Sequence, residues 1–132
     1  WTSAMAAGDL EASIEAFMHF AAGPHRTLND VAPDVMRRLR QMATGTMGKH
    51  TPDEPNWLVP VHDTWARAAK IDVPVLAIHG EIDSPDHIGM AEHLIRTVTN
   101  GRATSIDGTA HYPNMERPDV FNEILGDFLR TL

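Results

Sequence analysis

Val73-Pro74-Val75-Leu76-Ala77-Ile78-His79-Gly80-Glu81-Ile82-Asp83 is the stretch on which the fold turns. Val73 to His79 is a near-continuous apolar run, the pattern of a parallel strand buried on both faces. Pro74 fits only near the start of that strand, because proline has no N–H to give the ladder. Gly80 to Asp83 then forms a loop, and Ser84 is placed to cap a helix with Pro85 at its first position and Asp86 beside the positive end of its dipole. Ile88, Ala91, Leu94, Ile95 and Val98 supply the buried stripe of that helix. Asn100-Gly101 offers a left-handed C-cap, and Arg102 to Ile106 reads as a second short strand. Strand, helix and strand together predict a parallel βαβ unit. A last helix opens at Pro118, with Asp119 in its first turn, and turns Val120, Phe121, Ile124, Leu125, Phe128 and Leu129 inward.

Upstream the texture changes at a Pro/Gly-rich stretch, Gly45 to Pro60, which meets a short helix beginning near Asp63. Before it, Asp9 is a good N-cap for a helix with Leu10, Ile14, Phe17, Met18 and Ala21 on one face, stopped by Gly23-Pro24. A second helix should run from Pro33 to about Gly45 and bury Val35, Met36, Leu39 and Met42. The expected organisation is a helical segment over 1–62 and an α/β segment over 63–132. No internal repeat or low-complexity tract interrupts either.

Composition narrows the classes of function. The 42% hydrophobic and 22% charged content of 132 residues suits an ordered domain rather than a disordered chain. A net charge of −7, with one basic cluster at Arg37, Arg38 and Arg40 flanked by apolar helical positions, argues against nucleic acid as a partner. Cysteine is absent, so there is neither a disulfide framework nor a thiolate nucleophile, which suits the cytoplasm. No apolar run approaches the roughly 18 residues of a membrane span, and no basic-then-apolar signal opens the chain. A soluble protein without a membrane partner is expected. Trp1 stands where a methionine would begin a natural chain, so the natural N-terminus is expected to be missing or processed.

In an open parallel sheet, functional groups gather in the loops at the carboxyl ends of the strands. Two such loops exist here, Gly80-Glu81-Ile82-Asp83 and Asp107-Gly108-Thr109-Ala110-His111-Tyr112. Adjacent parallel strands place Asp83 and His111 on the same edge, within reach of a hydrogen bond. A carboxylate held to one imidazole nitrogen fixes the tautomer and stabilises the imidazolium formed when the other nitrogen takes a proton. The pair is a candidate general-base site. Tyr112 and Trp57 are candidates for lining a substrate pocket, although packing in the core is the simpler reading for Trp57 and Trp65. No metal site is expected: His79 sits in the strand, and His87 and His93, near Asp86, are six apart, which does not put two ligands on one helix face. Residues 43–50 superficially resemble a phosphate-binding loop but fail it, with Ala43 for the first glycine, His50 for the final hydroxyl and a helix where a strand belongs.

Three runs give these residues a family likeness: Ile71 to Asp83, Asp107-Gly108-Thr109-Ala110-His111, and Met115-Glu116-Arg117-Pro118 leading into the last helix. In order and spacing they resemble the C-terminal end of the α/β-hydrolase superfamily. The resemblance implies that Asp83 is the triad acid and His111 the triad base. More loosely, Ala7-Gly8-Asp9-Leu10 and the helices through Met42 resemble the mobile lid (cap) of the lactonase and haloperoxidase-like esterase branch. The departure is equally informative. Ser3, Ser13, Ser84 and Ser105 lie in no Gly-x-Ser-x-Gly elbow, the family's nucleophile motif. The expectation is a C-terminal fragment that is inactive alone and needs no cofactor, with a serine from a missing N-terminal half attacking an ester, lactone or related acyl carbon. Pairing with that half, or self-association, should cover the unpaired strand edge. Alternatives are a non-catalytic small-molecule receptor or interaction module on the same shell, and cofactor-free oxygen chemistry with the same dyad.

Overall fold

The structure is a computed structural model and describes residues 8–51 and 54–132. It divides into two compact units, the first ending at Val59 and the second spanning Pro60–Leu132.

The first unit is helical. Helix α1, Leu10–Ala22, starts where the Asp9 carboxylate accepts the N–H of Ala12 at 3.0 Å, and it ends at Gly23, whose φ of 89° is costly for any side chain. Helix α2, Pro33–Met47, packs against it. Their buried faces are Ser13, Ile14, Met18, Ala21 and Ala22 on α1 and Val35, Leu39, Ala43 and Met47 on α2. The four-residue spacing on α2 is one helical ridge. It turns Met42 outward, and Leu10 is likewise exposed at the start of α1, correcting the expectation that both are buried. Ser13 is a polar residue in this core, and its hydroxyl is satisfied by donating to Asp9 O at 2.7 Å. Arg40 leaves the basic cluster to form ion pairs with Glu15 and Glu11 of α1. A 3-10 turn at Leu28–Asp30, unforeseen in the sequence, joins the helices. Both the N–H and the hydroxyl of Thr27 donate to the Asp30 carboxylate at 2.7 Å, and these bonds, backbone first, hold its carboxyl below the ordinary aspartate range.

The second unit begins with the short helix α3, Thr64–Ala68, preceded by Asp63 in a left-handed conformation. Strand β1, Val75–Gly80, helix α4, Pro85–Thr97, and strand β2, Gly101–Ile106, form the expected parallel βαβ unit, followed by α5, Pro113–Glu116, and α6, Pro118–Leu129. The register runs from Val75 opposite Gly101 to Gly80 opposite Ile106, so the two strands end level. Ser84 and Pro85 start α4 as their types require.

Three expectations need correction. Among the described residues β1 pairs only with β2, so its side chains before Gly80 are half-buried rather than enclosed on both faces. Asn100-Gly101 is not a left-handed cap; α4 ends at Thr97, and glycine is required at 101 because a Cβ there would lie 2.6 Å from Ile95 O. Val98, at the end of α4, is buried as expected, but the rest of the apolar stripe of α4 and that of α6 are half-buried, and Leu129 is exposed. Among the described residues no helix is long and apolar enough to cross a membrane.

Candidate active site

Level strand ends bring the two following loops side by side, and glycine lets them touch. A Cβ on Gly80 would lie 2.2 Å from Ala110 O and 2.3 Å from Thr109 O, a clash with backbone that no rotamer relieves. The bare backbone instead allows Glu81 N to donate to Ile106 O and Ile82 N to Thr109 O, both at 3.1 Å. Gly108, at φ 68°, turns the second loop back toward the first. That second loop is also fastened by two carboxylates. Gly108 N donates to Glu81 Oε2, and Ala110 N donates to Glu116 Oε1 of α5, each at 3.0 Å.

The result is a hydrogen-bonded acid–histidine pair. Asp83 Oδ2 and His111 Nδ1 are 3.0 Å apart. The carboxylate is 6% exposed and its other oxygen accepts the N–H of Ser84 at 2.7 Å, so burial does not leave the charge without partners. His111 is half-buried, and Tyr112 meets it edge to face, with ring centroids 5.3 Å apart. Burial pushes the Tyr112 hydroxyl's pKa above its ordinary value, which keeps it protonated over a wider range.

His87, on the first turn of α4, is set aside in the sequence because its six-residue spacing from His93 does not put two ligands on one helix face. Its ring lies 4.6 Å from that of His111, its Nδ1 is 2.6 Å from Ser84 Oγ, and the same nitrogen is 3.6 Å from Asp83 Oδ1. The signal in the sequence is Asp83-x-x-x-His87, a four-residue spacing across a helix N-terminus, which histidine–histidine spacings do not show. Trp57 belongs to the first unit and is 76% exposed, which overturns the core-packing reading. Trp65 is also exposed, with its ring edge-on to His93 at 4.1 Å.

Comparison with solved structures identifies the fold. MenH from S. aureus superposes on 98% of the chain with a TM-score of 0.71 at 19% identity, the match covering 48% of that protein. The chain is an α/β-hydrolase-fold protein. No protein-family model matches it. Among curated proteins, this α/β-hydrolase-fold chain is 25% identical over 111 residues to a Bacillus subtilis (strain 168) protein that carries the name of a 2-succinyl-6-hydroxy-2,4-cyclohexadiene-1-carboxylate synthase, covering 77% of the chain and 38% of the relative. It is 30% identical over 102 residues to a Synechocystis sp. protein that carries the name of a non-heme chloroperoxidase, covering 76% and 36%. The chain thus spans less than half the length of the relatives it matches, and those relatives bear the names of enzymes.

Proposed function

We propose that this α/β-hydrolase-fold chain supplies the acid and the base of a serine-type hydrolase acting on an ester, lactone or related acyl substrate. The observation that carries the reading is the 3.0 Å bond between Asp83 and His111 at level ends of adjacent parallel strands. Asp83 orients the ring through Nδ1. Nε2 then takes the proton of an attacking serine and returns it to the leaving group. Ser13 is buried in the first unit and bonded to Asp9, while Ser84 caps α4; neither lies in an elbow that exposes a nucleophile. In this reading the attacking serine is supplied from outside this chain, since none of Ser3, Ser13, Ser84 and Ser105 stands in a Gly-x-Ser-x-Gly frame, and Tyr112 lines the substrate side of the base. In this reading the helices of the first unit are the enzyme's cap segment.

A p-nitrophenyl acetate assay tests this on the 132-residue chain and on a form extended upstream through its gene. The chain alone gives background hydrolysis. The extended form turns over, and His111→Ala lowers its kcat by roughly 10³–10⁴-fold or more. Turnover by the extended form that survives His111→Ala overturns the proposal.

One relative's name favours a second reading, in which the same base removes a proton from carbon in a synthase-type reaction without acyl transfer. Product analysis separates the two: acyl transfer releases an acid and an alcohol, and proton abstraction from carbon exchanges substrate hydrogen with deuterated solvent.

A further inference from the structure

The Asp83–His111 pair has a third member that acyl transfer does not use. One ligand-type atom from each of Asp83, His87 and His111 lies within 4.8 Å of the other two. From the geometry of these side chains we infer that Asp83, His87 and His111 form a binding site for a divalent transition-metal ion of the zinc class, and that metal occupancy and the Asp83–His111 hydrogen bond exclude one another.

Distances and donor chemistry both point this way. Imidazole nitrogens and carboxylate oxygens bind Zn²⁺ at about 2.0–2.2 Å, so ligands of a tetrahedral ion stand roughly 3.4 Å apart. Asp83 Oδ2 is 3.0 Å from His111 Nδ1 and Asp83 Oδ1 is 3.6 Å from His87 Nδ1, and one ligand atom of each residue lies within 4.8 Å of the others, so small side-chain adjustments reach that spacing. Two imidazoles and one carboxylate are a donor set for Zn²⁺, Co²⁺ or Fe²⁺ rather than for Mg²⁺ or Ca²⁺, which prefer oxygen. Three protein ligands leave a fourth position for water. The scaffold is firm where a ligand needs it: Asp83 is buried and bonded to Ser84 N, and His87 sits on a helix whose first turn is capped by Ser84. Both histidines are only half-buried, so an ion reaches them from solvent.

Exclusion follows from the atoms involved. While His111 Nδ1 gives its lone pair to a metal, it has no hydrogen to donate to Asp83. A bound ion therefore removes the contact that orients the base. The site itself stands whether or not His111 is a base; only the consequence for turnover rests on the proposed function.

Zn²⁺ alone, titrated calorimetrically into the 132-residue chain, should bind one ion, and Co²⁺ should give the visible absorption of a tetrahedral nitrogen–oxygen site. Losing a group that only orients a metal ligand costs about 10–100-fold in metal affinity, so removing a ligand by His87→Gln or His111→Gln should weaken Zn²⁺ by at least about 100-fold, and His93→Gln should leave it unchanged. Circular dichroism reports whether each variant folds. A second measurement needs no variant: in the wild-type chain, Zn²⁺ should shift the ring-nitrogen NMR signals of His87 and His111 together. Absence of Zn²⁺ binding, full affinity in both ligand variants, or shifts confined to other histidines overturns the site. In the extended enzyme, Zn²⁺ should inhibit ester turnover. If Zn²⁺ binds as described and no turnover exists to inhibit, the hydrolase reading fails and the metal site remains.

Discussion

Gly80 shows most sharply how much of the candidate site depends on one side chain's absence. A methyl group there meets two backbone carbonyls of the histidine loop at 2.2 and 2.3 Å. Gly80→Ala should therefore destabilise the second unit by about 1–3 kcal/mol, the range for overpacking. It should also push the Asp83 and His111 loops apart, visible as a lower urea midpoint and displaced His111 ring signals. Asp30 makes a different prediction. Its carboxyl is held below the ordinary value of 3.8, so the stabilisation it provides is complete above that value and is lost as pH falls through the lowered one. Asp30→Asn should lower the melting temperature slightly at neutral pH, and the difference from wild type should vanish in acid. The group is fully exposed, so added salt should shrink the effect. Sequence exposed Asp83 and His111 because loops after parallel strands are short and their positions follow from strand order. It did not expose His87, whose partner is a carboxylate one helical turn earlier, nor Glu81 and Glu116, whose partners are backbone amides that carry no identity in the sequence.

Helix starts were read with fewest corrections. Asp9 before α1, Pro33 at the start of α2 and Ser84-Pro85 before α4 each satisfy or dispense with an orphan N–H, a local problem with local solutions. Asp9→Ala should accordingly cost about 1 kcal/mol, measured by thermal melting of the helical signal. Buried faces were read less well, because which ridge of a helix turns inward is settled by its neighbour. Leu39 occupies the middle of the α2 ridge and is 1% exposed. Leu39→Ala should cost about 2–5 kcal/mol, and the exposed Met42→Ala within about 0.5 kcal/mol of nothing. Equal losses from the two would mean that the helix is rotated from its described position. The 3-10 turn and α5 stayed hidden, being too short to show a period.

For the whole molecule, surface chemistry is the informative quantity. Trp57, Leu58, Val59 and Val61 form a run of exposed apolar side chains, and Trp65, Val73 and Leu132 add to the exposed apolar area of the second unit. Apolar exposure on this scale favours a covering partner, and β1 and β2 present unpaired edges among the described residues. At micromolar concentration the chain should sediment as a mixture of monomer and larger species, shifted toward monomer by mild detergent. A sharp monomer boundary across the whole concentration range would count against that. The fold class was legible from the alternation of apolar runs and turn residues. The incomplete burial of β1 was not, since an apolar strand reads the same whether or not its neighbours belong to the chain in hand.

The fastening of the histidine loop by Glu81 on one side and Glu116 on the other has a practical corollary for protein engineering. Residues 79 to 116 behave as a cassette: acid, base, and the struts that set their spacing travel together. Grafting the histidine segment alone onto a related scaffold would leave its amides unanchored. Transplanting the entire interval carries its own jig with it.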